Sequence, residues 1–229
     1  MLNLGLRIAP AGGSDYPYID LPGAARNYVH IDGAFTTEAW FEGLRRGNTF
    51  VSNGPLLELD VNGAGMGTDL NIESNESVEI RASARLNPDF DKLNRLELIV
   101  QGEVVASATS SSGAESLKIN HRLTPETGLW LAIRAYGRGI AVAHSGPVYV
   151  RLADDPATLA RNLAPALVDK YIGLLDETIA TMPAAHEDLE HWETGEQLVT
   201  QWKKQLPELR KHAAAAREKL KEIRVMAVQ

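Results

Sequence analysis

"LLELDVNG", residues 56–63, decides how the rest of the chain is read. Leu57, Leu59 and Val61 alternate with Glu58, Asp60 and Asn62, a period of two that places the apolar side chains on one face of a strand. Asn62-Gly63 then supplies a turn. The pattern recurs downstream: Val78, Ile80 and Ala82 alternate with Glu79 and Arg81, and Leu96, Leu98 and Val100 with Glu97 and Ile99. Leu117 and Ile119, then Leu129, Leu131, Ile133 and Ala135, and finally Val148, Val150 and Leu152 continue it. Asn87-Pro88, Gln101-Gly102, Ser110 to Gly113, Pro125 and Gly137 to Gly139 separate the runs. Several short, half-buried strands with turn signals between them predict an antiparallel, Ig-like β-sandwich over residues 56–153.

On either side the period changes. From Asp154 it becomes helical: Asp155-Pro156 reads as a cap and first turn, followed by Leu159, Leu163, Leu167, Tyr171, Leu174 and Leu175 at spacings of three and four. Pro165 should kink or restart that helix and Pro183 should close it. A second helix is predicted from about Gln197, through Trp202, Leu206 and Leu209 into "KHAAAAREKLKEIR" (211–224), rich in strong helix formers. Residues 154–229 therefore read as a C-terminal helical hairpin. Residues 1–55 contain one clear helix, capped by Thr36 or Thr37, with Glu38 in its first turn, Trp40, Phe41 and Leu44 as its apolar stripe and Gly47 at its end. "NTFVSNG" (48–54) reads as a strand after it. That strand, loop, helix, strand order belongs to α/β proteins, so the chain as a whole is expected to be a multidomain α+β protein.

Composition narrows the function. Thirty acidic against 23 basic residues give a formal charge of -7, and the basic residues near the C-terminus are interleaved with acids, which argues against nucleic acid as a partner. Cysteine is absent, which removes disulfides, thiolate metal sites and a cysteine nucleophile. The first residues lack a basic segment and a long apolar stretch, and no run reaches membrane-spanning length. The chain reads as cytoplasmic by default, with no membrane partner, or as the interior piece of something longer.

Few motifs survive a test of spacing. "HEDLEH" (186–191) places His186 and His191 five apart, about 140° around a helix, whereas a zinc-protease helix needs them four apart on one face. "VNGAGMG" (61–67) follows a strand, but no helix opens after it and no Lys-Ser/Thr is present, so it reads as a glycine-assisted hairpin turn. "SATSSSG" (107–113) has no nucleophile elbow and reads as a loop. His30 and His121 sit in strand-like settings that favour packing or surface roles. His144, between apolar residues before a Gly-Pro turn, is a candidate functional histidine or one satisfied by nearby backbone. Asp15 has the strongest context. It ends an apolar run and opens a Pro/Gly-rich loop, where an α/β core would keep a metal-binding carboxylate and where an Asx-turn is the plain alternative.

Three stretches, "LNLGLRIAPAGGSD" (2–15), "YVHIDGAFTTEAWFEGLRRGNTFVSNGPLLELDVNG" (28–63) and "AHSGPVYV" (143–150), together resemble the PHP (polymerase and histidinol phosphatase) metal-dependent hydrolases, with the CehA/McbA-type subgroup the nearest likeness. "DKYIGLLDETI" (169–179) is similar to that subgroup's helix after the sandwich. The resemblance implies that residues 1–55 are the remnant of a PHP-type α/β barrel. It also implies hydrolysis of a phosphoester, amide or carbamate with the help of divalent zinc, manganese or iron. Asp15 falls on a metal-ligand position, with Ser14, Asn53 and His144 beside the site. The pattern is incomplete: the chain has six histidines but no His-x-His, and Pro17 stands where the family's terminal Asp-x-His pair has its histidine. With most ligands absent, the chain alone is expected to hold metal weakly or not at all and not to catalyse. The strands expected near Leu4 to Ala9 and Phe50 to Ser52 would lack parallel neighbours, so this segment should pack on the sandwich, on the tail, on a missing barrel segment or on another chain.

Two further readings follow from the residues. In one the sandwich is a non-catalytic binding module, with Trp130 and Tyr136, on one face by period two, holding a glycan, a peptide or a partner domain; the alternative for that face is packing against a tail that offers Trp192 and Trp202. In the other, Leu206, Leu209, Ala213, Ala216 and Leu220 form an amphipathic stripe that builds a homo-oligomer.

Overall fold

The computed structural model describes residues 1–181 and 195–228 and divides into two units, Met1–Leu159 and Ala160–Gln229. The first unit opens with a short 3-10 turn at Leu2–Leu4 and then runs β1 (Arg26–Val29), α1 (Thr37–Arg46), β2 (Thr49–Ser52), β3 (Leu56–Val61), β4 (Asp69–Ile72), β5 (Val78–Arg85), β6 (Leu93–Val100), β7 (Glu103–Ala114), β8 (Ser116–Leu123), β9 (Leu129–Gly137), β10 (Val142–Ser145) and β11 (Val148–Leu152). The second contains α2 (Ala164–Thr181) and α3 (Gly195–Val228).

The first unit is a mostly antiparallel β-sandwich. One sheet has three strands in the order β3-β5-β8; the other has eight, following the path β1-β2-β10-β9-β11-β4 with β6 and β7 beside β9. The alternation in "LLELDV" places Leu57, Leu59 and Val61 in the core between the sheets, where they meet Val78, Ile80 and Ala82 of β5, Leu96 and Leu98 of β6, Leu131 and Ile133 of β9, and Val148 and Val150 of β11. Strand β9 is the hub. It pairs with β6 along one edge, and along the other with β10 through residues 134–136 and with β11 through residues 129–131. Residues 142–152 thus run as one strand interrupted at Gly146-Pro147. Its outer edge takes β2 before the break and β4, the one parallel neighbour in the described sheets, after it.

Residues 1–55 differ from the parallel α/β piece expected. Leu4 to Ala9 form no strand, and β1 pairs antiparallel with β2 across the helix that joins them, so no parallel crossover is built. A parallel remnant needs neighbours on the same sheet; here β2 finds β10 instead and the segment becomes an edge of the sandwich. The N-terminal stretch is strapped down by side chains. Asn3 Oδ1 accepts from Trp130 Nε1 at 2.9 Å, and Leu4 is buried. The Arg7 guanidinium lies 4.2 Å from the Tyr149 ring centre and donates to Asp69 at 2.6 and 2.7 Å. Arg151 donates to Asp69 as well, at 2.7 Å. Burial alone would raise the Asp69 pKa, but these bonds outweigh it and hold the carboxyl below its usual range.

Strand β7 was read as a turn and a serine-rich loop. It is an edge strand with β6 as its partner, and its inward positions are filled by Ala106 and Ala108 against the core with Ser and Thr on the outward side, so the side chains are too small to show an apolar period. On the outer face of the large sheet, Glu97 is 5% exposed and lies between Arg95, whose Nε stands 2.8 Å away, and Arg134, whose Nε donates at 2.8 Å. Both guanidinium groups also approach the Tyr136 ring, at 4.8 and 5.4 Å from its centre.

In the second unit α2 starts at Ala164, later than Asp155-Pro156 implied, with Pro165 in the first turn where its missing N–H breaks no helical bond. Asp169 and Asp176 of α2 pair with Arg224 and Arg217 of α3, so seven residues forward on one helix match seven back on the other, an antiparallel arrangement. Of the stripe assigned to a homo-oligomer, Ala213 and Leu220 are buried, on the helix face that carries Arg217 and Arg224 toward α2, whereas Ala216 is exposed. Pro183, "HEDLEH" and Trp192 lie outside the described residues. Among the described residues no helix is long and apolar enough to cross a membrane.

Two outcomes follow. Replacing Glu97 with alanine leaves Arg95 and Arg134, both partly open to water, facing each other without a counter-charge and should cost about 1–2 kcal/mol in urea unfolding. Asp69 has a lowered folded-state pKa, so its contribution is present in full above 3.8, its ordinary value, and is lost as pH falls through the lower folded value. Unfolding midpoints should drop on acidification below about pH 4, and Asp69→Asn should flatten that part of the profile.

Candidate functional site

The loop that carries Asp15 is held at its root by a carboxamide. Asn27 of β1 donates Nδ2 to the Gly12 carbonyl and accepts the Gly12 N–H at Oδ1, both at 2.8 Å, as a neighbouring strand would. Gly12 is required by space: a Cβ there would stand 2.4 Å from Val51 Cγ1. From this anchor, residues 13–25 run beside the outer face of β2 and β10 and border an open recess of about 290 Å³.

The recess gathers side chains from all three stretches that carry the family likeness. Ser14 and Asp20 come from the loop, Asn53 from the end of β2 and His144 from β10, with Val51, Val142 and Ile19 as its apolar walls. His144 Nδ1 lies 2.9 Å from the Ser145 carbonyl oxygen. A carbonyl only accepts, so the neutral ring carries its proton on Nδ1, which leaves Nε2 as an acceptor. Ser14 is half-buried, and its hydroxyl bonds to no described residue. Asp20 folds back onto its own turn: Oδ1 accepts from the Leu21 N–H at 2.7 Å, while its N–H donates to the Ser14 carbonyl at 3.0 Å.

Asn53 is structural. Its Nδ2 donates to the Ile140 carbonyl at 2.9 Å and its Oδ1 accepts from the Val142 N–H at 2.6 Å, fastening the 137–141 turn to the end of β2. That turn is held from the other side by Asp91, whose carboxylate accepts from the N–H groups of Lys92, Gly139 and Ala141. Burial pushes the Asp91 pKa up, and these main-chain donors more than reverse it.

Asp15, the residue singled out from sequence, is exposed and does not line the recess. It sits in the left-handed region at φ 50°, and its carbonyl accepts from the Tyr18 and Ile19 N–H groups, so it initiates the loop's turn. Asp20 brings the carboxylate into the recess in its place. Its signal, an Asp before Leu-Pro-Gly five residues further on, carried no weight without knowledge of where the loop returns. Among the described residues no group of three or more His, Cys, Asp or Glu converges on a point where a metal ion could be held. His144 Nε2 and the Asp20 carboxylate are two donors, fewer than the three protein ligands of a catalytic zinc site. The described residues of the recess therefore do not by themselves fit a resident divalent metal.

The aromatic pair proposed as a binding face is divided. Trp130 is 6% exposed and packs with Ile99, Ala132, Tyr149 and Leu2, so the N-terminal segment covers it. Tyr136 is half-buried between Arg95 and Arg134. Around the recess the apolar exposure lies elsewhere, on Tyr16, Tyr18, Ile19 and Leu21 of the loop and Ile140 of the facing turn, with Tyr18 86% exposed.

No family model matches the chain, and no curated protein does. Among solved structures it is similar to the fibronectin(III)-like modules of Clostridium thermocellum CbhA, at 20% identity and a TM-score of 0.29 over 43% of this chain and 99% of that one. It is also similar to a CARDB domain from Pyrococcus furiosus, at 15% identity and a TM-score of 0.29 over 42% and 95%. A lytic polysaccharide monooxygenase from Jonesia denitrificans matches at 17% identity and a TM-score of 0.26 over 56% and 78%. At these scores the likenesses bear on neither the site nor its ligand.

If Asn27 holds the loop beside the recess, Asn27→Ala removes two main-chain bonds and should cost about 1–3 kcal/mol. Limited proteolysis should then cut first within residues 13–25, before any site in the sandwich.

Proposed function

We propose that this chain is the C-terminal portion of a PHP-type metal-dependent hydrolase and supplies one wall of its reaction site without catalysing by itself. The observation that carries the reading is the recess: Ser14, Asn53 and His144 lie far apart in sequence, in the three stretches that resemble the family, and they line one cavity with Asp20. An Nε2 acceptor on His144, oriented by the Ser145 carbonyl, suits a residue that binds or positions a substrate next to a reaction centre. Hydrolysis of a phosphoester, amide or carbamate at neutral pH needs a metal-activated water and a cluster of donors to hold the metal, and two donors do not make one. On this reading the remaining ligands come from a polypeptide segment outside these residues, and the exposed apolar side chains of the 13–25 loop pack against it.

The test compares the chain alone with the chain joined to an upstream barrel segment that carries His-x-His. The chain alone, with zinc, manganese or ferrous iron added, should hydrolyse p-nitrophenyl phosphate and a nitrophenyl carbamate no faster than the free metal. The joined, folded protein should turn over at least one of them, and His144→Ala in it should lower kcat/KM by about tenfold to a hundredfold. A folded, metal-loaded joined protein that hydrolyses neither ester would overturn the reading, as would micromolar zinc binding with turnover by the chain alone.

A further inference from the structure

The two sheets of the sandwich are unequal, and the mismatch leaves one strand edge unpaired above a cleft. The three-stranded sheet ends at β3, whereas the large sheet continues beyond it through β2 and β1. Between the free edge of β3 and the inner side of β1 and β2 lies a cleft of about 620 Å³, closed at one end by residues 63–68. Its lining includes Leu57 and Leu59 of β3, Tyr28 and Phe50 stacked with ring centres 4.6 Å apart, and Met66.

The ladder pattern shows which main-chain groups look into it. Asn62 N–H donates to the Glu79 carbonyl, one step beyond the β3–β5 register, so residues 56, 58, 60 and 62 turn their main-chain groups toward β5. Leu86 N–H, bonded to the Glu115 carbonyl on the β8 side, gives the complementary parity for β5. Leu57, Leu59 and Val61 therefore direct N–H and C=O to the free edge. Val61 uses both on Ala64. The groups of Leu57 and Leu59 bond to no other described residue, although both residues are buried and such groups are costly to leave unpaired.

The chemistry of the rim selects the occupant. Asp32 lines the cleft and Glu58 borders it from β3, its carboxylate on the outer face of the small sheet where an added strand would set every second side chain, and no lysine or arginine lines the cleft. Asp32 is 3.1 Å from His30, and Glu58 accepts from Ser83 and faces Arg85 at 3.7 Å, so both carboxylates keep free lone pairs. Asn48 Oδ1, also in the lining, is a buried acceptor without a hydrogen-bond partner among the described residues. Acceptors, aromatic faces and a methionine await N–H donors and positive charge. A second copy of the chain is disfavoured here, because antiparallel pairing of two β3 edges centred on residue 58 or 59 sets Glu58 against the Glu58 or the Asp60 of the copy.

We infer that the free edge of β3 is a docking site for an extended peptide segment of a partner protein, which adds as a fourth strand to the small sheet. The segment pairs main chain to main chain with Leu57 and Leu59, lays apolar side chains over Tyr28, Phe50 and Met66, and presents lysine or arginine to Asp32 and Glu58. The inference does not depend on the hydrolase reading, since it uses a different face of the sandwich from the recess.

The probe is a fluorescein-labelled hexapeptide alternating valine with lysine, titrated into the full chain and followed by anisotropy and by hydrogen exchange. Saturable binding is expected, together with slowing of Leu57 and Leu59 amide exchange by about tenfold or more. Replacing lysine by glutamate in the peptide, methylating its alternate amide nitrogens, or introducing Asp32→Lys with Glu58→Lys into the protein should each weaken binding by about tenfold or more. The doubly substituted protein should keep the circular dichroism of the original. Equal binding of the glutamate peptide, insensitivity to N-methylation, binding that survives the charge reversal, or no saturable binding at all would overturn the inference. So would a dimer in light scattering whose Leu57 and Leu59 amides are already protected without peptide.

Discussion

The sandwich depends on one close approach of main chain to main chain. Gly146 N–H donates to the Thr49 carbonyl at 2.6 Å, and a Cβ on Gly146 would lie 2.3 Å from the Gly47 carbonyl oxygen and 2.8 Å from that of Thr49. Gly67 comes as near to the same corner, where a Cβ would meet Gly47 C at 2.4 Å. These glycines let the interrupted strand 142–152 bend away at Pro147, so that its first half takes β2 and its second half takes β4 without a gap in the sheet. Any side chain at Gly146 would part the N-terminal segment from β10. The recess would lose its floor, and the cleft beside β3 would lose Tyr28 and Phe50.

That corner also explains why two different surfaces arise from a single segment. Strand β2 directs Val51 outward, beside the 13–25 loop, and Phe50 inward, toward the core between the sheets. The alternation that makes a strand therefore gives one side to the recess and the other to the cleft. The recess is lined by a hydroxyl, a carboxylate and an imidazole acceptor. The cleft is aromatic, acidic and rimmed by an open strand edge.

Much of the sandwich was legible because its core strands alternate. Leu57 to Val61, Val78 to Ala82 and Leu129 to Ala135 announce both their faces and their type. What was not legible had no such contrast. Strand β7 turns only alanines toward the core, β4 joins the sheet by a parallel pairing with a strand far along the chain, and β1 and β2 carry a helix between them that imitates an α/β unit. The site divided likewise. Ser14, Asn53 and His144 could be grouped because they lie within recognisable stretches, whereas Asp20 reaches the recess through a loop whose return path is set by Asn27 and Gly12. Trp130 pointed to the outer face as its parity requires, but local sequence does not show that Asn3 and Leu2 come back to cover it.

The order of the strands has a consequence for how the polypeptide is made. Strand β2 ends at Ser52, but β10, against which it lies, is complete only at Ser145, 93 residues later. At ordinary elongation speeds the N-terminal segment emerges roughly 5–20 s before its place exists. During that interval it has neither β10 nor β9 to join, and Phe50 and Val51 lack their cover. Residues 26–52 are thus made well before the strand they lie against and are among the last of the sandwich to settle, and that delay is the time in which nascent chains are most open to chaperones or to one another.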